Sequence, residues 1–344
     1  MSFVKIRCGA TDGVVKTGDG LEHHIFGFVD LTGVPDSEIF KHRGKAQLLA
    51  PALDVTVGDK VELSITNLGL TKRPDLDESL QPDWRIPPNR MLLRGEIPKT
   101  SISVPFGCDL VYRYEPKEPG TYIYYCPFEP VERIQMGMVG PLIARPADYD
   151  ATDSAFKTAY GTGTDTTFDR EYLLLCSELD LIPHVQSPDT QPFNPSKYSP
   201  AYRLLNQRSY PDTINTTPHT HSAKIYSGTV EANAGERVLL RFVNLGLEQH
   251  VMTILGLSMR IIGRDAQLMR RPNGEDLSYW RDVLHLAAGH TIDAVILPQQ
   301  PAVYPLFNRG YHKNTNAGTS PGGMVTYVLA RPAGTLSPQV MPGL

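Results

Sequence analysis

The 344-residue chain holds 33 Lys and Arg against 37 Asp and Glu, a net charge of −4, with 41% hydrophobic and 20% charged residues. That is room for two domains of ordinary size, each with its own core. The balance gives no basic face for nucleic acid, and no apolar run approaches the roughly 20 residues that a membrane-crossing helix needs.

The N-terminus, from Met1 to Asp12, lacks the apolar centre of a secretion signal. It is expected either to stay inside the cell or to be a mature form whose leader has been removed. From there on, short β-rich segments alternate with Gly, Pro, Asn and Asp turns. Residues 111–114, 121–125, 171–177, 238–243 and 292–297 are rich in β-branched, aromatic or aliphatic side chains and are predicted strands. With 29 Pro, 29 Gly and few helix-period stretches, the composition favours two β-sandwiches.

The chain also repeats itself. The segment from Gly58-Asp59 to Asn67-Leu-Gly-Leu70 is echoed from Gly235-Glu236 to Asn244-Leu-Gly-Leu247, and Gly137-Met-Val and Ala144-Arg-Pro146 are echoed by Gly323-Met-Val and Ala330-Arg-Pro332. Asn67 and Asn244 lie 177 residues apart, Gly137 and Gly323 186 apart, so the second copy of a tandem duplication carries a modest insertion. The predicted organisation is a first domain over 1–147, a linker over 148–167, a second domain over 168–335 and a tail over 336–344.

Four cysteines, Cys8, Cys108, Cys126 and Cys176, fit no zinc spacing and leave room for one disulfide without saying which pair forms it. Cys126 sits in the most informative stretch: Gly120-Thr-Tyr-Ile-Tyr-Tyr125-Cys126-Pro127, then Arg133, then Gln135-Met136-Gly-Met138. This stretch resembles the copper-binding signature of multicopper oxidases. The two-domain bacterial members of that family are also resembled at His23-His24-Ile-Phe-Gly, at Asn206-Gln-Arg-Ser-Tyr-Pro211, at His250-Val-Met-Thr-Ile-Leu-Gly256 and at Pro305-Leu-Phe-Asn308. The resemblance covers nearly the whole chain. It implies an all-β protein of two tandem cupredoxin-like Greek-key sandwiches, an extracytoplasmic location and a homo-oligomer, commonly a trimer.

The resemblance also implies a loss. In the family, histidines flank the Cys and a further one follows before the axial Met. Here Tyr125 and Pro127 take the flanking positions and Arg133 the downstream one, while Cys126 and Met138 stand at the thiolate and axial positions. Arg has five donors, no lone pair and a fixed positive charge, so it cannot ligate copper. The first domain's His-x-His pair becomes Asp83-Trp84-Arg85, and the second domain's three-histidine motif keeps His250 alone. These eight positions read as vestigial copper sites, with Arg133 expected to pair with Glu129 or Glu132.

His219 and His221 project from one side of an extended loop and are the weak metal candidates; His23 and His24, adjacent on a strand, make a poor chelate. Cys126 reads as a buried small apolar residue, against the alternative of a thiol activated by Arg133. The expected function is a non-catalytic structural or binding subunit of a larger assembly, without a cofactor. The alternatives are a copper-dependent oxidoreductase with an unusual or inter-subunit site, and a copper(I) carrier using Met136, Met138 and exposed histidines.

Overall fold

The computed structural model describes residues 2–72, 104–126, 130–186, 194–215 and 228–339. The first seven strands are β1 (Phe3–Lys16), β2 (Glu22–Asp30), β3 (Leu53–Thr56), β4 (Lys60–Gly69), β5 (Asp109–Tyr114), β6 (Gly120–Tyr125) and β7 (Val139–Arg145). They form two sheets, ordered β2-β1-β4-β5 and β3-β7-β6. Between the sheets lies a core that includes Cys8, Phe28, Leu63, Ile65, Tyr124 and Leu142.

The second sandwich has β8 (Arg170–Leu179), β9 (Tyr202–Leu205), β10 (Val230–Asn233), β11 (Val238–Asn244), β12 (His250–Ile254), β13 (Met259–Arg264), β14 (Gln267–Leu268), β15 (Tyr279–Arg281), β16 (Val283–Leu286), β17 (Thr291–Ile296), β18 (Ala302–Asn308) and β19 (Thr326–Arg331). One sheet runs β14-β13-β17-β11-β8-β9 with β15 on β13, the other β10-β19-β18-β12-β16. The five predicted strands fall in β5, β6, β8, β11 and β17, and the all-β class holds. Among the described residues only two α-helices form, α1 (Pro130–Met136) and α2 (Leu181–Gln186), each of two turns or less.

The duplication is written in the strand registers. In the parallel pair β3/β7, Leu53 faces Leu142; in β10/β19, Val230 faces Val328, which are the same 177- and 186-residue offsets as the sequence echoes. An ion pair is duplicated with them: Arg145 meets Asp54 at 2.7 Å and Arg331 meets Glu231 at 2.8 Å. The Asn-Leu-Gly echo is a turn whose asparagine oxygen accepts the N–H two residues on, Gly69 to Asn67 at 2.9 Å and Gly246 to Asn244 at 3.0 Å.

The sandwiches meet through Leu49, Ile123, Val139 and Ile143 of the first and Leu173, Leu175, Val243 and Leu245 of the second. Beside this apolar seam lies a buried charge network. Glu171 on β8 accepts from Arg145 at 2.7 Å and from Arg241, which also reaches Asp293 at 3.1 Å. Thr121 and Tyr160 each donate to Asp293 at 2.7 Å. Burial alone would raise the pKa of Glu171, but the two guanidinium groups outweigh it and hold the pKa down.

Candidate functional site

The strand β6 ends at Tyr125, and Cys126 just beyond it donates its N–H to the Met138 carbonyl at 3.0 Å. The chain loops through α1, whose last turn closes when Met138 N–H reaches the Arg133 carbonyl at 2.8 Å. Gly137 makes that return with φ +121°, and a Cβ there would stand 2.6 Å from the Leu48 carbonyl oxygen. Cys126, Met136 and Met138 are thereby fully buried in the first core. The Arg133 guanidinium lies over the Phe26 ring at 5.3 Å and brings Nη1 to 4.0 Å from Met138 Sδ. Three of the expected positions, Cys126, Arg133 and Met138, therefore come together. Tyr125 is half-buried against the seam between the sandwiches. Pro127, Asp83, Arg85, His219, His221 and Glu129 lie outside the described residues.

His250 belongs to a different cluster, at the start of β12. Its Nε2 stands 2.6 Å from Glu178 Oε1 and its Nδ1 3.1 Å from the Asn308 amide nitrogen. Asn308 is oriented by its Oδ1, which accepts Gly310 N–H at 2.9 Å, so its NH₂ donates and Nδ1 accepts. The proton of the ring then sits on Nε2 and points at Glu178. Glu178 also accepts from the Tyr198 hydroxyl at 3.0 Å and from Leu247 and Glu248 N–H at 2.8 and 3.3 Å. Burial and the adjoining carboxylate push the Tyr198 phenol up.

Sequence reasoning missed Glu178 and its counterpart. Ala10 faces Asn67 in β1/β4 as Cys176 faces Asn244 in β8/β11, so two residues on, Asp12 and Glu178 are equivalent. Asp12 likewise accepts two successive N–H groups, Thr71 and Lys72, each at 2.9 Å, and stands 3.4 Å from His24 Nε2. The available signal was an acid inside an otherwise buried stretch, Asp12 in β1 and, besides Glu171, Glu178 in β8. His23 goes elsewhere, to Thr17 at 3.2 Å and the Tyr202 ring. All four cysteines are free thiols, so the one disulfide the sequence allowed is not formed; Cys8, Cys126 and Cys176 are each buried and Cys108 is exposed. Among the described residues, no group of three or more His, Cys, Asp or Glu side chains is placed to hold a metal.

His184 on α2 is also buried, donating Nδ1–H to the His24 carbonyl at 2.5 Å. Burial brings its pKa down to about 4, against the opposing effect of that carbonyl. The unfolded chain holds this proton more tightly, near the ordinary value of about 6.5, so stability is complete above that pH and falls as pH drops toward 4. About 3 kcal/mol is expected to be lost across that window. Urea titrations at pH 7 and pH 4.5 check this, with His184→Phe flattening the dependence.

Residues 192–331 match the sequence model of the multicopper oxidase family. A blue copper oxidase from Nitrosomonas europaea superposes with a TM-score of 0.67 at 19% identity, over 95% of this chain and 85% of that one. A copper nitrite reductase from the same organism gives 0.66 at 17% identity, over 100% and 98%. A laccase from Botrytis aclada gives 0.63 at 14%, over 99% of this chain and 55% of the longer laccase. The fold is cupredoxin-type. No curated protein matches the chain in sequence at a significant level. The family match in this cupredoxin chain lies within the second sandwich, whereas the structural likeness spans both, so the Cys126 segment of the first cupredoxin unit stands outside the matched residues.

Proposed function

We propose that the chain is a catalytically silent relative of the multicopper oxidases, retained as a structural or binding subunit of a larger assembly outside the cytoplasm. The observation that carries this reading is the state of His250. Both ring nitrogens are engaged, Nδ1 as acceptor from Asn308 and Nε2 as donor to Glu178, so the one imidazole kept from the second-domain motif has no lone pair to offer. The Cys126 pocket supports it independently. Copper there would face a thiol, a thioether and the permanent cation of Arg133, and that donor set does not fit the ion. No reaction step is therefore assigned to copper.

The rival is a copper oxidoreductase that assembles a site from His219, His221, His250 or His312, across a subunit boundary. Metal analysis by mass spectrometry on protein purified without chelators, beside a visible spectrum, separates the two. The expected result is below roughly a tenth of a copper per chain and no blue absorption. A stoichiometric copper that survives dialysis would overturn the reading, since tightly held structural metals stay bound.

A further inference from the structure

The strand β8 has an open edge. On the side away from β11 it pairs with β9 only over Cys176–Leu179, so among the described residues Arg170 to Leu175 have no strand there. Side-chain amides stand in for one. Asn206 accepts Leu175 N–H at 2.7 Å through Oδ1 and donates to the Leu173 carbonyl at 2.9 Å. Two residues further along the same edge, Gln339 Oε1 accepts Glu171 N–H at 2.7 Å and the Gln339 amide donates to the Glu171 carbonyl at 3.3 Å. Gln339 thus exchanges both main-chain bonds with Glu171, as a residue of a neighbouring strand would.

The segment that carries Gln339 is held along its main chain. The Asn233 carboxamide brackets Leu336, accepting its N–H at 2.8 Å and donating to its carbonyl at 2.9 Å. Arg170 donates to the Ser337 carbonyl at 2.6 Å and Lys157 to the Gln339 carbonyl at 2.5 Å. Asn233, Arg170 and Lys157 are all buried, and Glu236 fixes the first two by accepting from them at 2.9 and 2.6 Å. Pro338, between the held residues, has no N–H to leave unpaired. The segment adds little to the core, since Ser337 and Pro338 are exposed and Leu336 and Gln339 half-buried. The fold does not require this slot. The first sandwich repeats its frame, with Thr56 N–H on Asp59 at 3.1 Å as Asn233 N–H lies on Glu236 at 2.6 Å. Yet Thr56 and Phe3 stand there at the places of Asn233 and Arg170, and they supply neither a carboxamide nor a cation.

We propose that this slot is a peptide-binding site whose resident ligand is the segment 336–339, and that it accepts in exchange an extended segment of a partner protein with an apolar residue three positions before a glutamine. The main-chain bonds make the site tolerant of the two residues between. The glutamine is the position that is read, because Glu171 presents one N–H and one C=O together. Gln matches both, Glu has no donor for the carbonyl, and Ala has neither group. Exchange needs only local release, since hydrogen bonds rather than apolar burial secure the resident segment. Adding an extended segment to an open strand edge lets main-chain bonds supply affinity while one side chain supplies the choice. The inference goes beyond the functional reading above and holds whether or not the chain binds copper.

The test uses the full chain carrying Leu336→Gly and Gln339→Ala, which weaken the resident segment and leave the slot intact, and a capped peptide of the sequence of residues 335–340. Hydrogen exchange at the Glu171 amide, followed by NMR, is the readout, and the Leu175 amide held by Asn206 is the internal control. The double variant should exchange about 10-fold faster at Glu171 with Leu175 unchanged, and saturating peptide should restore the native rate. The peptide should bind the native chain about 10-fold more weakly than the double variant, as expected for a slot vacant roughly a tenth of the time. Peptides with Glu or Ala in place of the glutamine should bind the double variant about 10-fold more weakly than the original. Should the double variant be unstable, Gln339→Ala alone gives the same comparison of the two amides. A Glu171 amide unmoved by Gln339→Ala overturns the proposal, as does acceleration equal at both amides. Absence of binding up to about 10 mM peptide also overturns it, and so does binding indifferent to the glutamine or equal for the native chain and the variant.

Discussion

Glu171→Ala is expected to lower the stability of the protein by about 3–5 kcal/mol, the range for removing one partner from a buried ion cluster. Glu171 is 1% exposed, and the two guanidinium groups it holds, Arg145 and Arg241, are 3% and 0% exposed. Arg145 would keep Asp54 and Arg241 would keep Asp293, but each would lose a charged acceptor at a buried position. A Gln at this position keeps one oxygen and the shape, so Glu171→Gln should cost less. Replacing Arg145, Glu171, Arg241 and Asp293 together by Met, Leu, Met and Asn should cost less than the single alanine, because no fully buried charge is then left without its partner. Chemical denaturation measures all three. A single-alanine loss below about 1 kcal/mol would mean that water or a shifted side chain already serves the arginines.

Glu178→Ala carries the second-largest expected effect, about 3 kcal/mol or more. It removes the acceptor of four donors, the His250 ring, the Tyr198 hydroxyl and the amides of Leu247 and Glu248. An unsatisfied buried donor costs about 1–3 kcal/mol, and relaxation recovers part of the sum. The substitution also has a spectroscopic reading. In the native protein the His250 ring nitrogens should appear by ¹⁵N NMR as a neutral imidazole with its proton on Nε2, in slow exchange with water. A proton found on Nδ1 instead of Nε2 in the native protein would refute the assigned tautomer.

What could be read from the sequence was whatever the chain settles locally. The turn chemistry of Asn67-Leu-Gly and Asn244-Leu-Gly is an asparagine bonding to the amide two residues on, so it showed as a repeated motif and gave the duplication. Strand segments such as 121–125 and 238–243 declared themselves by composition, and both are strands. The Cys126, Arg133 and Met138 positions fall together because a short helix and a glycine return join them within thirteen residues of chain.

What the sequence withheld depends on strand register over long separations. Glu171 finds its arginines 26 and 70 positions away, and Tyr160 finds Asp293 across 133. Asp12 and Glu178 occupy equivalent places but differ in residue type, and their offset differs from both repeat offsets because the connections between strands differ in length. The thiols were ambiguous for the same reason: four cysteines on strands and turns can be paired on paper, yet Cys8 and Cys126 lie in the first core, Cys176 in the second and Cys108 at the surface, with no disulfide among them.

The stretch between the two sandwiches was expected to be a plain connection, and its chemistry is that of an interior. Tyr160 is buried with its hydroxyl on Asp293, and Ala159 and Phe168 pack with Leu239, Ile262 and Val295. Gly263 makes room for that ring, since a methyl there would strike the phenol oxygen at 2.0 Å. A chain that arose by doubling one module has thus lost its modularity. Cutting the gene at its old junction would take the cover from β17 and the hydroxyl from Asp293 at once, so neither half would inherit a finished surface. The tether has become a structural strut, packed on the second sandwich rather than strung between two finished ones.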